Sequence, residues 1–234
     1  MLLLSPAHTN AKTAKNSIHS DYLSAILHLA PFDLSGINVC PAASKGCAMS
    51  CFNTAGRGRF DNVQQARIRK TKEFFGDPKQ FFANLIGDIS YLQRKAFKQG
   101  QKVAIRLNGT SDIAWENYEA YNGLNIFEVF PYVQFYDYSK RSERLKHTEL
   151  PANYHLTFSA SEVNEVICKR VLKLNFNVAV VFANSIPNEF WNTAVVNGEQ
   201  SDLRFLEGYS GSVIGLKAKG KAKQDTTGFV RQVA

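Results

Sequence analysis

The chain has 234 residues, 44% of them apolar, enough to bury one substantial core without disulfide or metal staples. Its formal net charge of +8 favours an anionic partner, nucleic acid or an anionic cofactor, although a solvated basic face accounts for such a charge equally simply. No run approaches the roughly 18–20 apolar residues that cross a bilayer. The opening Met1-Leu2-Leu3-Leu4 is broken at once by Ser5-Pro6 and lacks the pattern of a signal peptide, so a cytoplasmic protein without a membrane partner is expected. In that compartment four cysteines read as metal, cluster or core residues before they read as disulfides.

In chain order, residues 1–20 are polar and without period, and read as an N-terminal arm. A short helix is expected over Asp21 to Leu29, behind a cap-like Ser20 and ahead of Pro31; arm and helix together make up residues 1–35. Ile37-Asn38-Val39 reads as a short strand running into Cys40-Pro-Ala-Ala-Ser-Lys-Gly-Cys47-Ala-Met-Ser-Cys51. Helical patterns follow from about Asp61 to Phe75 and from Pro78 to Lys98. Five β-rich runs come next: Val103–Leu107, Val133–Tyr138, Tyr154–Phe158, Val178–Phe182 and Val213–Leu216. With the run before Cys40 they make about six strands. Their spacing suits strand–helix units, and their near-continuous apolar character suits strands covered on both faces. The expected fold class is therefore α/β, a partial or near-complete (β/α) barrel of about six parallel strands, in one domain over residues 36–234.

Such a fold gathers the residues that follow its strands on one rim. That rim would bring the cysteines together with Arg106, Asn108, Asp112, Tyr136, Tyr138, Lys140, Ser159, Glu162 and Lys217. Arg106, Asp112, Lys140 and Glu162 are candidates for catalysis or substrate positioning, while Asn108, Tyr136, Tyr138 and Ser159 are candidates for holding a cofactor. Asp112 and Glu162 could serve as acid or base, yet ion pairs with Arg106 or Lys140 would need the same residue types.

Cys40, Cys47 and Cys51 are separated by six and three residues, within a loop lined by Ala42, Ala43, Gly46, Ala48 and Ser50. Thiolates on a short, small-residue loop suit an iron–sulfur cluster, because the backbone can wrap closely around the inorganic core. Structural zinc and three unrelated buried thiols are the alternatives; zinc modules usually come as two close pairs, and no second pair follows. Three protein ligands would leave one iron of a 4Fe–4S cluster open, a place where S-adenosylmethionine could bind. Cys168, in Val166-Ile-Cys-Lys-Arg-Val171, reads as the buried face of a helix.

Nucleic-acid candidates are Arg57 and Arg59 beside the cysteines, and Lys217, Lys219, Lys221 and Lys223, which alternate so that an extended strand exit would project them on one side. Trp115, Tyr136 and Tyr138 could stack bases or fill the core.

The chain resembles the gene-product-88 family of bacteriophages and mobile elements. The resemblance is carried by Asn38-Val-Cys-Pro41 with Gly46-Cys47 and Cys51, Thr54-Ala-Gly-Arg-Gly58, Arg106-Leu-Asn-Gly-Thr-Ser-Asp112 with Trp115, and Tyr136-Asp-Tyr138 with Lys140. It continues through Leu156-Thr-Phe-Ser159 with Glu162, Asn177–Phe182, Asp202-Leu-Arg-Phe205 and Gly215–Gly220. It brings a family and no activity. A more distant similarity is to radical S-adenosylmethionine enzymes, which carry a three-cysteine loop after the first strand of a partial barrel. The spacing here departs from their C-x₃-C-x₂-C, and no Gly-Gly-Glu segment follows the second strand; both departures count against cofactor binding. Two functions follow as expectations: a 4Fe–4S enzyme of radical S-adenosylmethionine type acting on an anionic, nucleic-acid-like substrate, or a noncatalytic nucleic-acid-binding protein braced by its cluster.

Overall fold

The computed structural model describes residues 3–6, 21–146, 150–208 and 210–233. Most of the arm expected over residues 1–20 lies outside them.

Ten strands form one mixed sheet: β1 (Leu4–Pro6), β2 (Tyr22–Leu27), β3 (Lys102–Arg106), β4 (Gln134–Ser139), β5 (Tyr154–Ser159), β6 (Val178–Phe182), β7 (Glu189–Phe190), β8 (Thr193–Asn197), β9 (Val213–Lys217) and β10 (Val230–Arg231). The order β1-β2-β3-β4-β5-β6-β9-β8-β7 is open at both ends. All neighbours from β2 to β8 along this path are parallel, and only β1 and β7 run antiparallel to their partners. β5 pairs with the first residues of β6, Phe158 with Val178 and Ser159 with Ala179. Beyond them β10 takes its place, Val230 with Val181 and Arg231 with Phe182, so the carboxyl end of the chain is seated at the carboxyl end of the sheet.

Five of the strands predicted from β-rich runs are present as β3, β4, β5, β6 and β9, and the two long helical patterns form α1 (Asp61–Gly76) and α2 (Pro78–Lys98). Asp77 caps α2 by accepting the Gln80 N–H at 3.0 Å, with Pro78 in the first turn where its missing N–H costs nothing. Phe81, Phe82, Leu85, Ile89, Leu92 and Ala96 recur at helical spacing and are buried to 2% exposure or less. Burying the larger of these contributes about 1.5–3 kcal/mol each. They share a core with Leu23, Val103, Ile105, Phe135, Leu156, Phe158, Val178 and Val180 from one face of the sheet. A third helix, α3 (Glu165–Lys173), crosses from β5 to β6.

Two expectations are corrected. Asp21 to Leu29 is not a helix: Tyr22–Leu27 is the first parallel strand, in register with β3 from Tyr22↔Lys102 to Ile26↔Arg106. Ala25, Ile26 and Leu27 are all buried, and a strand covered on both faces shows a continuous apolar run that local periodicity cannot tell from a short helix. Ile37-Asn38-Val39 is not a strand. Val39 is a fully buried anchor whose carbonyl accepts the Asp112 N–H at 2.8 Å. The cysteines still follow the first parallel strand, which lies further upstream than expected, and the described part of residues 1–35 belongs largely to the sheet.

Candidate functional site

The cysteine loop enters the β2-to-β3 connection and is fastened from several sides. The Asn38 side chain accepts the Cys40 N–H at 3.0 Å, and the Cys40 thiol lies 3.8 Å from the Thr110 carbonyl beyond β3. Ser44 caps the Lys45–Met49 turn by accepting the Cys47 N–H at 3.2 Å. Glu162, in the loop after β5, grips the same turn: it accepts the Ser44 hydroxyl and the Gly46 N–H, each at 2.7 Å. Burial pushes the Glu162 carboxyl up, but those two hydrogen bonds outweigh it and hold the group below its usual range. A Cβ on Gly46 would stand 2.1 Å from Thr227 Oγ1 and 2.8 Å from Phe229 Cβ, so only glycine lets the turn lie this close to the C-terminal segment.

Cys40, Cys47 and Cys51 are half-buried and free, and Cys168 is buried. Burial pushes the Cys40 thiol up to about 12, with Cys51, Asp112 and Cys47 adding to the rise and Lys140 opposing it. Burial also raises Cys51. The three thiols therefore share one neighbourhood with Asp112 and Lys140. Among the described residues no group of three or more His, Cys, Asp or Glu side chains is set as a ready metal site. The donor set itself, three soft sulfurs on one loop, suits iron–sulfur or zinc, either of which would displace the thiol protons. Cys168 on α3 donates to Asn164 Oδ1 at 3.2 Å and is engaged inside the core.

The neighbouring polar groups are tied to one another. Asp112 accepts the Ser139 hydroxyl at 2.7 Å, the Lys140 N–H at 2.9 Å and Arg144 Nη1 at 3.1 Å. Arg144 also grips Glu116 bidentately, at 2.7 and 2.9 Å. The Asn108 side-chain oxygen accepts from Ser111, the Ile113 N–H and the Trp115 indole, and its amide donates to the Ile113 carbonyl. That leaves Asn108 holding the turn after β3. Lys140 Nζ donates to Ser159 Oγ at 2.7 Å, which joins two of the candidate residues beside the cysteine loop. Asp137, which carries no signal in the sequence pattern, lies beneath them and accepts the Asn108 N–H at 2.6 Å; burial pushes its carboxyl up to about 7.

Arg106, Tyr136 and Tyr138 lie on the opposite face of the sheet, under residues 198–207. Arg106 pairs with Asp202 at 3.2 Å and lies 4.6 Å from the Tyr138 ring. The Tyr138 hydroxyl donates to Asp202 at 3.2 Å and accepts Arg204 Nε at 2.9 Å. Tyr136 stands level with His155, and Tyr138 with Thr157, across the β4–β5 ladder. Arg106 Nε, Tyr136 OH, His155 Nε2 and Thr157 Oγ1 are buried without a hydrogen-bond partner. Burial and the nearby Arg204 hold His155 neutral, at about 4. Asp202 and Arg204 carry this arrangement; the opposite charges within Asp202-Leu-Arg-Phe205 are the signal that could have found them.

The basic candidates converge. Arg57 and Arg59 are exposed on the Gly56–Arg59 turn, and Lys217, Lys221 and Lys223 are exposed at and beyond the end of β9. The lysines do not alternate along one strand: β9 ends at Lys217, and Gly220–Gln224 coils into a 3₁₀ turn. That turn packs on Phe52–Thr54. Gly220, at φ +57°, lies so close that its Cβ would stand 3.2 Å from that of Ala55. Lys219 is ion-paired with Glu199. Trp115 is fully buried among Phe74, Phe81, Phe82 and Tyr118, and Tyr136 is 1% exposed, so neither ring offers a face to a base.

The family model described as Gene product 88 matches residues 1–233. The chain belongs to the Gene product 88 family. Neither a curated protein nor a solved structure matches it, so the distant similarity to radical S-adenosylmethionine enzymes gains no support. The family match spans the cysteine loop, residues 198–207 and the basic turn alike. Among the described residues no helix is long and apolar enough to cross a membrane.

Proposed function

We propose that the protein is an iron–sulfur protein in which Cys40, Cys47 and Cys51 hold a 4Fe–4S cluster at the carboxyl rim of a partial (β/α) barrel, and that it acts there on an anionic substrate of nucleic-acid type. The observation that carries this reading is the placement of three unpaired thiols in one loop after the first parallel strand, fastened by Glu162 and facing Asp112 and Lys140. A cluster with three protein ligands supplies one-electron chemistry and an open iron at which S-adenosylmethionine can bind. The chain's own part is positional. Glu162 fixes the loop, Arg144 and Ser139 hold the Asp112 side chain at its edge, and Lys140 with Ser159 presents a cation and a hydroxyl beside the thiols.

Protein purified without oxygen is expected to be brown and to contain iron and acid-labile sulfide in equal amounts. Cys47→Ser should remove the iron and Cys168→Ser should keep it. Stoichiometric zinc without sulfide would refute the reading. A second reading, a nucleic-acid-binding protein in which the cluster braces the fold, is favoured by the packing of the basic turn against the segment that follows Cys51. An electron-spin spectrum of the reduced protein that S-adenosylmethionine leaves unchanged would select it.

A further inference from the structure

Between Cys51 and α1 the chain makes two consecutive 3₁₀ turns, Phe52–Thr54 and Gly56–Arg59, whose inner side is rigid. Asn53 is 2% exposed and its side chain accepts Arg67 Nη1 at 2.5 Å. Gly58 is buried so tightly that a Cβ would stand 2.4 Å from the Asn53 carbonyl oxygen. The outer side is unlike a core. Phe52 and Phe60 are 50% and 51% exposed, and between them along the chain stand the exposed Arg57 and Arg59. The Arg59 guanidinium lies 5.7 Å from the Phe60 ring centre. The contact of Gly220 with Ala55 brings the exposed Lys221 and Lys223 to the same segment, and Lys45 is exposed on the neighbouring cysteine turn. The facing acids are Asp33 and Asp61, while Glu199 is occupied by Lys219. Cations therefore outnumber carboxylates here.

We propose that this surface binds single-stranded nucleic acid, with Phe52 and Phe60 as stacking platforms for unpaired bases and Arg57, Arg59, Lys221 and Lys223 as phosphate contacts. The inference rests on the anionic-substrate part of the reading above, names that substrate's form, and does not depend on the cluster. Half-exposed aromatic faces on a rigid base suit bases that have left a duplex, because paired bases hide their faces against each other. Guanidinium groups beside those faces match phosphate oxygens two at a time. The two rings are separated by charged residues along the chain, so the surface has no continuous apolar face of the kind a protein partner would bury.

The test is fluorescence anisotropy with a labelled thymidine oligonucleotide of about 15 nucleotides, its length set by typical single-strand sites. The single strand should bind more tightly than a duplex of equal length, and more weakly as salt rises. The double variant Phe52→Ala/Phe60→Ala should weaken binding at least about tenfold, since each stacked base contributes about 1–3 kcal/mol, with the salt slope unchanged. The double variant Arg57→Gln/Lys221→Gln should instead reduce the slope of log affinity against log salt by about 1.4, two phosphate contacts at about 0.7 each. All four side chains are exposed, and unchanged urea midpoints would confirm that the variants fold. Equal affinity for the duplex, or full affinity in the phenylalanine variant, would overturn the proposal. So would binding to anionic phospholipid vesicles with no binding to the oligonucleotide. Repeating the titration with Cys47→Ser separates the two readings: oligonucleotide binding by a wild-type protein that carries no iron refutes the cluster alone, and iron without oligonucleotide binding refutes the surface alone.

Discussion

Replacing Asp137 by asparagine tests whether a carboxylic acid is kept protonated beneath the candidate site. Asp137 is 1% exposed. It accepts the Asn108 N–H at 2.6 Å, the Asn108 amide at 3.3 Å and the Tyr154 hydroxyl at 3.1 Å. Burial outweighs those bonds and the attraction of Arg106 and Arg144, and pushes the group up to about 7. In the unfolded chain an aspartic acid titrates near about 3.9, so between that value and about 7 the folded state holds a proton that the unfolded state has released. The unfavourable ionisation of the folded state is absent below about pH 4, and stability relative to that acid limit falls as pH rises, levelling off only above about 7. Three units at about 1.36 kcal/mol each make about 4 kcal/mol in all, of which between about 2 and 3 kcal/mol disappears from pH 5 to pH 8. An asparagine here would be neutral throughout and could still accept the Asn108 N–H. Urea unfolding at several pH values should therefore show the Asp137→Asn variant gaining about 2–3 kcal/mol on the wild type between pH 5 and pH 8. A stability difference that does not change with pH would refute the reasoning. A change of opposite sign would show that Arg106 and Arg144 hold the carboxylate ionised.

Gly46→Ala is expected to lower the urea midpoint by an amount equivalent to about 1–3 kcal/mol and to speed proteolytic cleavage in the cysteine loop, because the new methyl meets Thr227, Glu162 and Phe229. Arg144→Met should cost about 3–5 kcal/mol at neutral pH, since it leaves Asp112 and Glu116 uncompensated, and thermal unfolding with the Asp112→Asn/Arg144→Met double variant should recover part of that loss.

The parallel core of the sheet was legible because β3, β4, β5, β6 and β9 are β-branched or aromatic runs bounded by polar turns. β2 was not legible. Ser-Ala-Ile-Leu at its end carries no alternation, and its strand geometry comes from pairing with β3, whose residues lie far along the chain. The cysteine loop could be found from residue type and spacing, but not what fastens it. Glu162 looked like an acid or base after β5, whereas its two oxygens are engaged by Ser44 and Gly46, which stand far earlier in the chain. Arg106 and the two tyrosines were conspicuous as polar residues in apolar strands. Their partners Asp202 and Arg204 sit in a segment without periodicity, so only folding reveals the pairing. The stacking residues were missed for the opposite reason: Trp115 draws the eye, but exposure decides, and Phe52 and Phe60 have it.

The cysteine loop and the basic aromatic surface are not independent. The cysteine turn is held by Glu162 on one side and meets Thr227 and Phe229 of the C-terminal segment on the other, while the segment after Cys51 is packed against Gly220–Gln224. Residues 220–231 therefore touch both the loop that bears the thiols and the turn that bears Phe52, Arg57 and Arg59, and β10 anchors them to β6. A loop fastened at this many points keeps its three sulfurs close together without an ion between them, so ligand binding need not supply the ordering energy of the loop. By the same connections, any strain that an occupant places on Cys47 or Cys51 is delivered within a few residues to Phe52 and, through Ala55, to Lys221. Coupling between cluster and polyanion would then be reciprocal: whatever the loss of the cluster does to oligonucleotide affinity, the oligonucleotide must do in equal measure to cluster affinity.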